Sequence, residues 1–220
     1  MIGLFGGTFD PPHLGHIHLI QSLLKQFNFS KFYLIPNYRN PLKTKGPAVT
    51  AEERLLLLRT AIKGLDSRIE ILDWEMRKQE PSFTIDTVKY LRTLHSEPLT
   101  FIIGDDIFSQ LSEWKSAAEL FQLVDWMVIK RSEEIVLEPQ QLMHKLGIFD
   151  SHFVDKNHLA YSQDQRSIRF CDIKALPFSS TQMRSELREL WKKNKLDDPP
   201  QGIQRSVWLL IKEKRLYSVG

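Results

Sequence analysis

The sequence predicts an α/β chain of the Rossmann-like class, with a doubly wound parallel sheet, helices on both faces and a small C-terminal helical region. Three observations predict it. Short β-rich runs alternate with longer runs of helical period. The strand candidates are nearly all apolar rather than alternating, the pattern of strands buried on both faces. The polar, chemistry-bearing motifs fall at the carboxyl ends of those strands, where open parallel sheets bind ligands.

Taken in order, IGLF (2–5) reads as a strand. LGHIHLIQSLLKQF (14–27) follows as a helix, with Leu14, Ile17, Leu19, Ile20, Leu23, Leu24 and Phe27 at helical spacing. KFYLIP (31–36) closes a first βαβ unit. AEERLLLLRTAIK (51–63) is a helix capped by Thr50, RIEIL (68–72) a strand, FTIDTVKYLRTLH (83–95) a helix and LTFIIG (99–104) an almost wholly apolar strand. DWMVIKR (125–131) reads as another strand. Residues 132–166 are polar and weakly periodic, with Pro139 and Gly147, and read as surface elaboration. Strand character returns in SIRFCDI (167–173), followed by helices over roughly 179–194 and 203–214. No repeat, low-complexity tract or linker interrupts the pattern, so residues 1–220 read as one domain with 176–220 as its C-terminal helical part.

The net charge of +3 is small against 30 basic and 27 acidic residues, which excludes a dedicated nucleic-acid binder. A single cysteine, Cys171, excludes an intramolecular disulfide and a thiolate cluster, and reads as a small residue beside a strand in a reducing compartment. No apolar run approaches the roughly 20 residues that cross a bilayer, and no basic leader precedes MIGLFGG, so a cytoplasmic protein without a membrane partner is expected. A homo-oligomer is left open.

Two stretches carry the chemistry. GGTFDPPHLGH (6–16) follows the first strand. Gly6 and Gly7 let backbone N–H groups of the turn, through Thr8 and Phe9, approach an anion. Pro12 pre-sets a backbone angle suited to a helix start. His13 and His16, three apart, face the same way beside the positive end of the helix dipole. That is a site for a phosphate whose charge grows in a transition state. The third glycine of G-x-G-x-x-G is missing, which disfavours a dinucleotide-dependent dehydrogenase. An isolated H-x-x-H would equally be a surface pair or half a metal site. FSSTQMR (178–184) starts a later helix. Ser179 with Gln182 is a capping-box pattern, while Ser180, Thr181 and Arg184 at a helix N-terminus also form an anion site.

The first stretch resembles the [GT]-x-F-D-P-x-H-x-G-H signature of the HIGH-type nucleotidyltransferases, and the second resembles the [IV]-S-S-T-x-[IV]-R motif that accompanies it. The middle of the chain resembles bacterial nicotinate-nucleotide adenylyltransferase: AEERLLLLRTAI its second long helix, PSFTIDTVKYLR its P-S-[YF]-T-x-D-T segment, FIIGDDIFSQLSEWK its I-G-x-D-x-x-x-x-L-x-x-W, and IKEKRLY its last helix and tail.

The resemblance implies transfer of AMP from ATP to nicotinate mononucleotide, with Mg²⁺ held mainly by the phosphates and no metal held by the protein. It implies that His13, His16 and Arg184 are catalytic, and that Gly6, Gly7, Thr8, Phe9, Ser179, Ser180 and Thr181 bind ATP phosphates and adenine. Gly104 and Asp106 would contact the ribose. Lys43, Thr84, Asp86 and Trp114 would bind the acceptor. Thr84 and Asp86 read equally as helix-capping residues, and Trp114 as a core aromatic. Other acceptors, nicotinamide mononucleotide or phosphopantetheine, stay open. The chain departs from the family pattern at Leu42, where a histidine is common, at Asp105, where a small residue is common, and at Ala117, where a second tryptophan is common. A loop near 37–48, rich in Pro, Lys and Asn, is a candidate to close over substrate.

Overall fold

The computed structural model describes residues 1–130, 138–161 and 166–218. In chain order the elements are β1 (Ile2–Gly7), α1 (Leu14–Gln26), β2 (Lys31–Pro36), α2 (Ala51–Ile62), β3 (Ile69–Ile71), α3 (Trp74–Lys78), α4 (Thr84–Leu94), β4 (Leu99–Gly104), α5 (Asp105–Phe108), α6 (Ala117–Leu123), β5 (Asp125–Ile129), α7 (Pro139–Lys145), β6 (Ser151–Asp155), β7 (His158–Tyr161), β8 (Arg166–Cys171), α8 (Ser180–Lys192) and α9 (Arg205–Glu213). They group into two compact units. The first comprises Met1–Gly6, Phe29–Leu34 and Ser82–Lys174; the second comprises Gly7–Asn28, Ile35–Pro81 and Ala175–Gly220.

The first unit holds strands in the order β2-β1-β4-β5-β8-β7-β6. β4 is buried at all six positions, as a strand covered on both faces requires. It pairs in parallel with β1, Leu99 opposite Ile2, and with β5, Thr100 opposite Asp125. β5 pairs in parallel with β8. The sheet is not parallel throughout: β8–β7 and β7–β6 are antiparallel. This hairpin lies in the stretch read as surface elaboration. β6 is exposed at four of its five positions and a register shift interrupts it between Phe153 and Asp155, so no hydrophobic alternation marks it. Its turn is set locally, where the Asp155 carboxylate accepts the Asn157 N–H at 2.7 Å. α4 packs on α6, and Phe101, Phe121 and Trp126 form an aromatic cluster under the sheet centre.

The second unit is built on α1, α2, α8 and α9, whose facing sides supply Ile17, Leu57, Met183, Leu187, Trp208 and Ile211 to one core. α2 starts where expected. The Thr50 hydroxyl accepts the Glu53 N–H at 3.2 Å while the Glu53 carboxylate accepts the Thr50 N–H at 2.8 Å, a complete capping box. At α8 only half of the expected box forms. Ser179 Oγ accepts the Gln182 N–H at 3.2 Å, but the Gln182 side chain donates instead to Glu186 at 2.8 Å. Elsewhere, element ends differ from the expected ones by one or two residues. The exception is the strand expected over 125–131, whose Arg131 lies outside the described residues.

Cys171 ends β8 and is 6% exposed. Burial pushes its thiol up to about 11, so at pH 8 roughly a thousandth is thiolate. Alkylation by iodoacetamide is expected to be at least tenfold slower in the native protein than in denaturant, followed by mass spectrometry. Equal rates would show that the end of β8 is open to solvent.

Candidate active site

The glycine-containing turn begins as β1 ends. Gly6 is exposed at the end of the strand, and Thr8 and Phe9 follow Gly7 into a turn in which Phe9 takes φ +49°. A left-handed φ at a bulky non-glycine residue is uncommon and persists only where the surroundings fix it. Three sets of hydrogen bonds do so here. The Gly7 carbonyl accepts the Asn37 N–H at 3.0 Å, the Thr8 hydroxyl accepts from the Asn37 amide at 3.3 Å, and the Thr8 carbonyl accepts from Arg54 Nη1 at 2.9 Å.

Helix α1 starts at Leu14, with His13 as its N-cap, so Pro12 lies just before the cap rather than in the first turn. The first N–H of the helix, at Leu14, donates to the Gly202 carbonyl at 2.8 Å. Gly202 has φ +99°, and a Cβ there would stand 2.6 Å from the Phe178 ring. Gly15 is required for another reason: a Cβ on it would stand 2.9 Å from His13 Nδ1 and push the imidazole out of place.

The two imidazoles lie with centroids 3.7 Å apart and planes tilted by 35°, and the Phe9 ring closes on His16 at 5.0 Å. The His13 N–H donates to His16 Nδ1 at 3.2 Å. Nδ1 is therefore an acceptor, which places the ring proton of neutral His16 on Nε2. His16 thus offers an N–H donor, and protonating Nδ1 would break a helix-capping bond.

The second motif is joined to the first. Ser180 Oγ donates to the Pro11 carbonyl at 2.9 Å, and Arg184 Nη1 donates to the Asp10 carbonyl at 2.7 Å. Arg184 Nη2 donates to Thr181 Oγ1 at 3.2 Å. Of the residues expected to meet phosphate, the second unit thus brings together Gly7, Thr8, Phe9, His13, His16, Ser180, Thr181 and Arg184. Ser179 is occupied as the helix cap. Lys43 is exposed in the loop 37–48, and its backbone N–H closes a turn on the Asn40 carbonyl at 3.2 Å. Both ends of that loop are tied down. Arg54 donates to the Asn37 carbonyl at 2.6 Å and the Tyr38 carbonyl at 3.0 Å, and the Ala48 N–H donates to Asp10 Oδ2 at 2.7 Å.

In the first unit, Gly104 caps the short helix α5. Asp105 is buried and its Oδ1 accepts the Asp106 N–H at 2.9 Å, which gives this departure from the family pattern a local task. Asp106 itself is exposed. Thr84 and Asp86 occupy the first turn of α4, behind Phe83 as its N-cap, and neither caps it as the alternative reading required. Asp86 instead pairs with Lys115 at 3.3 Å, and Lys115 Nζ lies 4.4 Å over the Phe83 ring. Trp114 is half-buried and meets Phe101 and Trp126 edge-on at 6.1 and 6.3 Å.

Three buried polar side chains that hold the turn in place escape the sequence reading. Arg54 is 1% exposed, and burial lowers its pKa while Asp10 raises it. Its only sequence signal was a cation on the apolar side of α2. Asp10 and Tyr217 are the others; the first stood inside the motif, and the second gave no signal beyond the IKEKRLY ending. Among the described residues no three His, Cys, Asp or Glu side chains cluster to hold a metal. Nor is any helix among them long and apolar enough to cross a membrane.

Residues 4–186 match the Cytidylyltransferase-like family. A probable nicotinate-nucleotide adenylyltransferase of Shewanella is 32% identical over 218 residues, 98% of both chains. One from Desulfatibacillum aliphaticivorans is 30% identical over 193 residues, 86% of this chain and 88% of the relative. The chain belongs to the nicotinate-nucleotide adenylyltransferases. Within this family of nucleotidyltransferases the fold itself reaches further. The Plasmodium falciparum nicotinic acid mononucleotide adenylyltransferase, solved with NaAD, superposes with a TM-score of 0.70 at 18% identity over 100% of this chain and 98% of that one.

Replacing Arg54 with Met would leave three carbonyls, those of Thr8, Asn37 and Tyr38, without their donor. At about 1–3 kcal/mol for each buried polar group left unsatisfied, a loss of at least about 3 kcal/mol is expected by urea unfolding. A loss below about 1 kcal/mol would mean that water replaces the guanidinium freely.

Proposed function

We propose that the protein transfers the adenylyl group of ATP to the 5′-phosphate of nicotinate mononucleotide, forming nicotinate adenine dinucleotide and releasing pyrophosphate. The observation that carries this reading is the junction of the two motifs, where Ser180 and Arg184 are hydrogen-bonded to the Pro11 and Asp10 carbonyls, next to the His13–His16 pair. The identity to nicotinate-nucleotide adenylyltransferases along nearly the whole chain supports the choice of acceptor.

The attacking phosphate is already an anion, so the reaction needs no general base. It needs two polyanions held in line, and charge on the α-phosphate and the leaving group stabilised. His16 supplies the Nε2 N–H set by its tautomer, and His13 stands beside it at the helix N-terminus. The backbone of Gly7 to Phe9 cradles the phosphates. Arg184 takes the charge that develops on pyrophosphate, with Ser180 and Thr181 beside it. Mg²⁺ bound to the triphosphate would neutralise part of its charge. The Asp10 carboxylate is already engaged by Tyr217 and Ala48, so it is not a ready ligand for the ion. The roles of Gly6, Gly104 and Asp106 toward the nucleoside, and of Lys43, Thr84, Asp86 and Trp114 toward the acceptor, rest on the family resemblance.

Pyrophosphate release with Mg-ATP, offered nicotinate mononucleotide, nicotinamide mononucleotide or phosphopantetheine in parallel, tests the reading. The nicotinate form is expected to be the strongly preferred acceptor. Preference for another acceptor would keep the phosphate chemistry and overturn the assignment of Thr84 and Trp114. His16→Ala is expected to lower kcat by about 10²–10³, roughly 3–4 kcal/mol, the scale for losing one donor to developing charge. Unchanged turnover in a folded variant would remove His16 from the chemistry.

A further inference from the structure

The chain beyond α9 does something a surface tail has no need to do. It turns through two left-handed non-glycine residues, Arg215 at φ +52° and Tyr217 at φ +61°. The Arg215 and Leu216 N–H groups close back on the Lys212 and Ile211 carbonyls. Leu216 and Tyr217 are thereby buried, each 5% exposed, in the core that α1, α2, α8 and α9 share. A phenylalanine would fill that position as well. The hydroxyl is the exception to the apolar logic, and it donates to Asp10 Oδ1 at 2.9 Å. Burial and the neighbouring Asp10 charge push the phenol up, so it remains a donor throughout the working range.

Asp10 is itself 2% exposed, and its other oxygen accepts the Ala48 N–H. Arg184 Nη1 stands 3.9 Å from that oxygen, too far for a hydrogen bond, and is bonded to the Asp10 backbone carbonyl instead. The carboxylate is thus satisfied by two neutral donors while a guanidinium waits just out of reach. Without the Tyr217 hydroxyl, Oδ1 would lack its donor, and the carboxylate would be left to the Ala48 N–H and to the cations beside it, of which Arg184 stands 3.9 Å from Oδ2. A close ion pair there would use up the charge that the reaction needs.

We infer that Tyr217 is a positioning residue for adenylyl transfer: by satisfying the Asp10 carboxylate, its hydroxyl keeps Arg184 from closing onto Asp10 and leaves the guanidinium for the departing pyrophosphate. This rests on the reading that Arg184 acts on pyrophosphate. The test is a double-mutant cycle with Tyr217→Phe and Arg184→Ala, with folding checked by thermal unfolding. Tyr217→Phe alone is expected to lower kcat about tenfold and to weaken product inhibition by pyrophosphate by a similar factor. The KM for nicotinate mononucleotide should stay within twofold. In the Arg184→Ala background the same substitution is expected to add nothing.

A role in packing alone would slow both backgrounds equally, and that result, or a Tyr217→Phe variant with wild-type kcat, overturns the inference. Arg184→Ala at wild-type turnover would overturn the Arg184 assignment itself, which separates the two failures. If Tyr217→Phe does not fold, Ala48→Pro at an exposed position removes the other donor to the same carboxylate. It should show the same non-additivity, and additive losses would overturn the inference in the same way.

Discussion

A buried carboxylate and a buried guanidinium lie beneath the glycine-containing turn, and the order of the second unit depends on how they are satisfied. Asp10 and Arg54 are 2% and 1% exposed. Taking such groups out of water costs several kcal/mol apiece unless hydrogen bonds replace the lost hydration. The partners are spread along the chain: Thr8, Asn37 and Tyr38 for Arg54, and Ala48 and Tyr217 for Asp10. Each partner belongs to a segment without regular structure of its own, so the two charges substitute for a strand or helix in fixing those segments. Each end of the loop 37–48 meets one of the two charges.

The same arrangement explains which parts of the molecule could be read from sequence. Whatever is specified by near neighbours was legible: the apolar run of β4, the Thr50–Glu53 box, the helical stripe of α1, and the two motifs whose residues lie within eleven and seven positions. Whatever is specified by partners far along the chain was not. Tyr217 meets Asp10 across 207 positions and Arg184 meets it across 174. Nothing in KEKRLY distinguishes a tyrosine whose hydroxyl meets a buried carboxylate from one that packs a helix end. The β6–β7 hairpin was missed for a different reason. Its outer strand is exposed and broken by a register shift, so the period-two signal was absent even though the Asp155–Asn157 turn was local.

Arg54 shows how a correctly read element can leave the task of one side chain unread. AEERLLLLRTAI reads as a helix, and the reading assigns no task to the cation on its apolar side. In the structure the Arg54 side of α2 is buried with Leu57, Leu58 and Ala61, and the guanidinium passes along that apolar face to reach three carbonyls. A lysine could carry the charge but could not serve Thr8, Asn37 and Tyr38 together with one planar fork.

The division of labour proposed for His16, Arg184 and Asp10 follows from these constraints. An H-x-x-H pair at a helix start could bind a metal through two ring nitrogens or supply two positive charges. Neither suits the geometry at His16. Its Nδ1 accepts the His13 N–H, so the neutral ring carries its proton on Nε2, as a donor. His16 then contributes an oriented N–H dipole. A full positive charge must come from elsewhere, and a bare guanidinium beside a buried carboxylate would collapse onto it. Satisfying that carboxylate with a phenol and a backbone N–H is a way to hold both charges close without letting them neutralise each other. The fold needs Asp10 to tie the second motif to the first through its carbonyl, and the chemistry needs its carboxylate to stay off Arg184. Tyr217 makes the two requirements compatible.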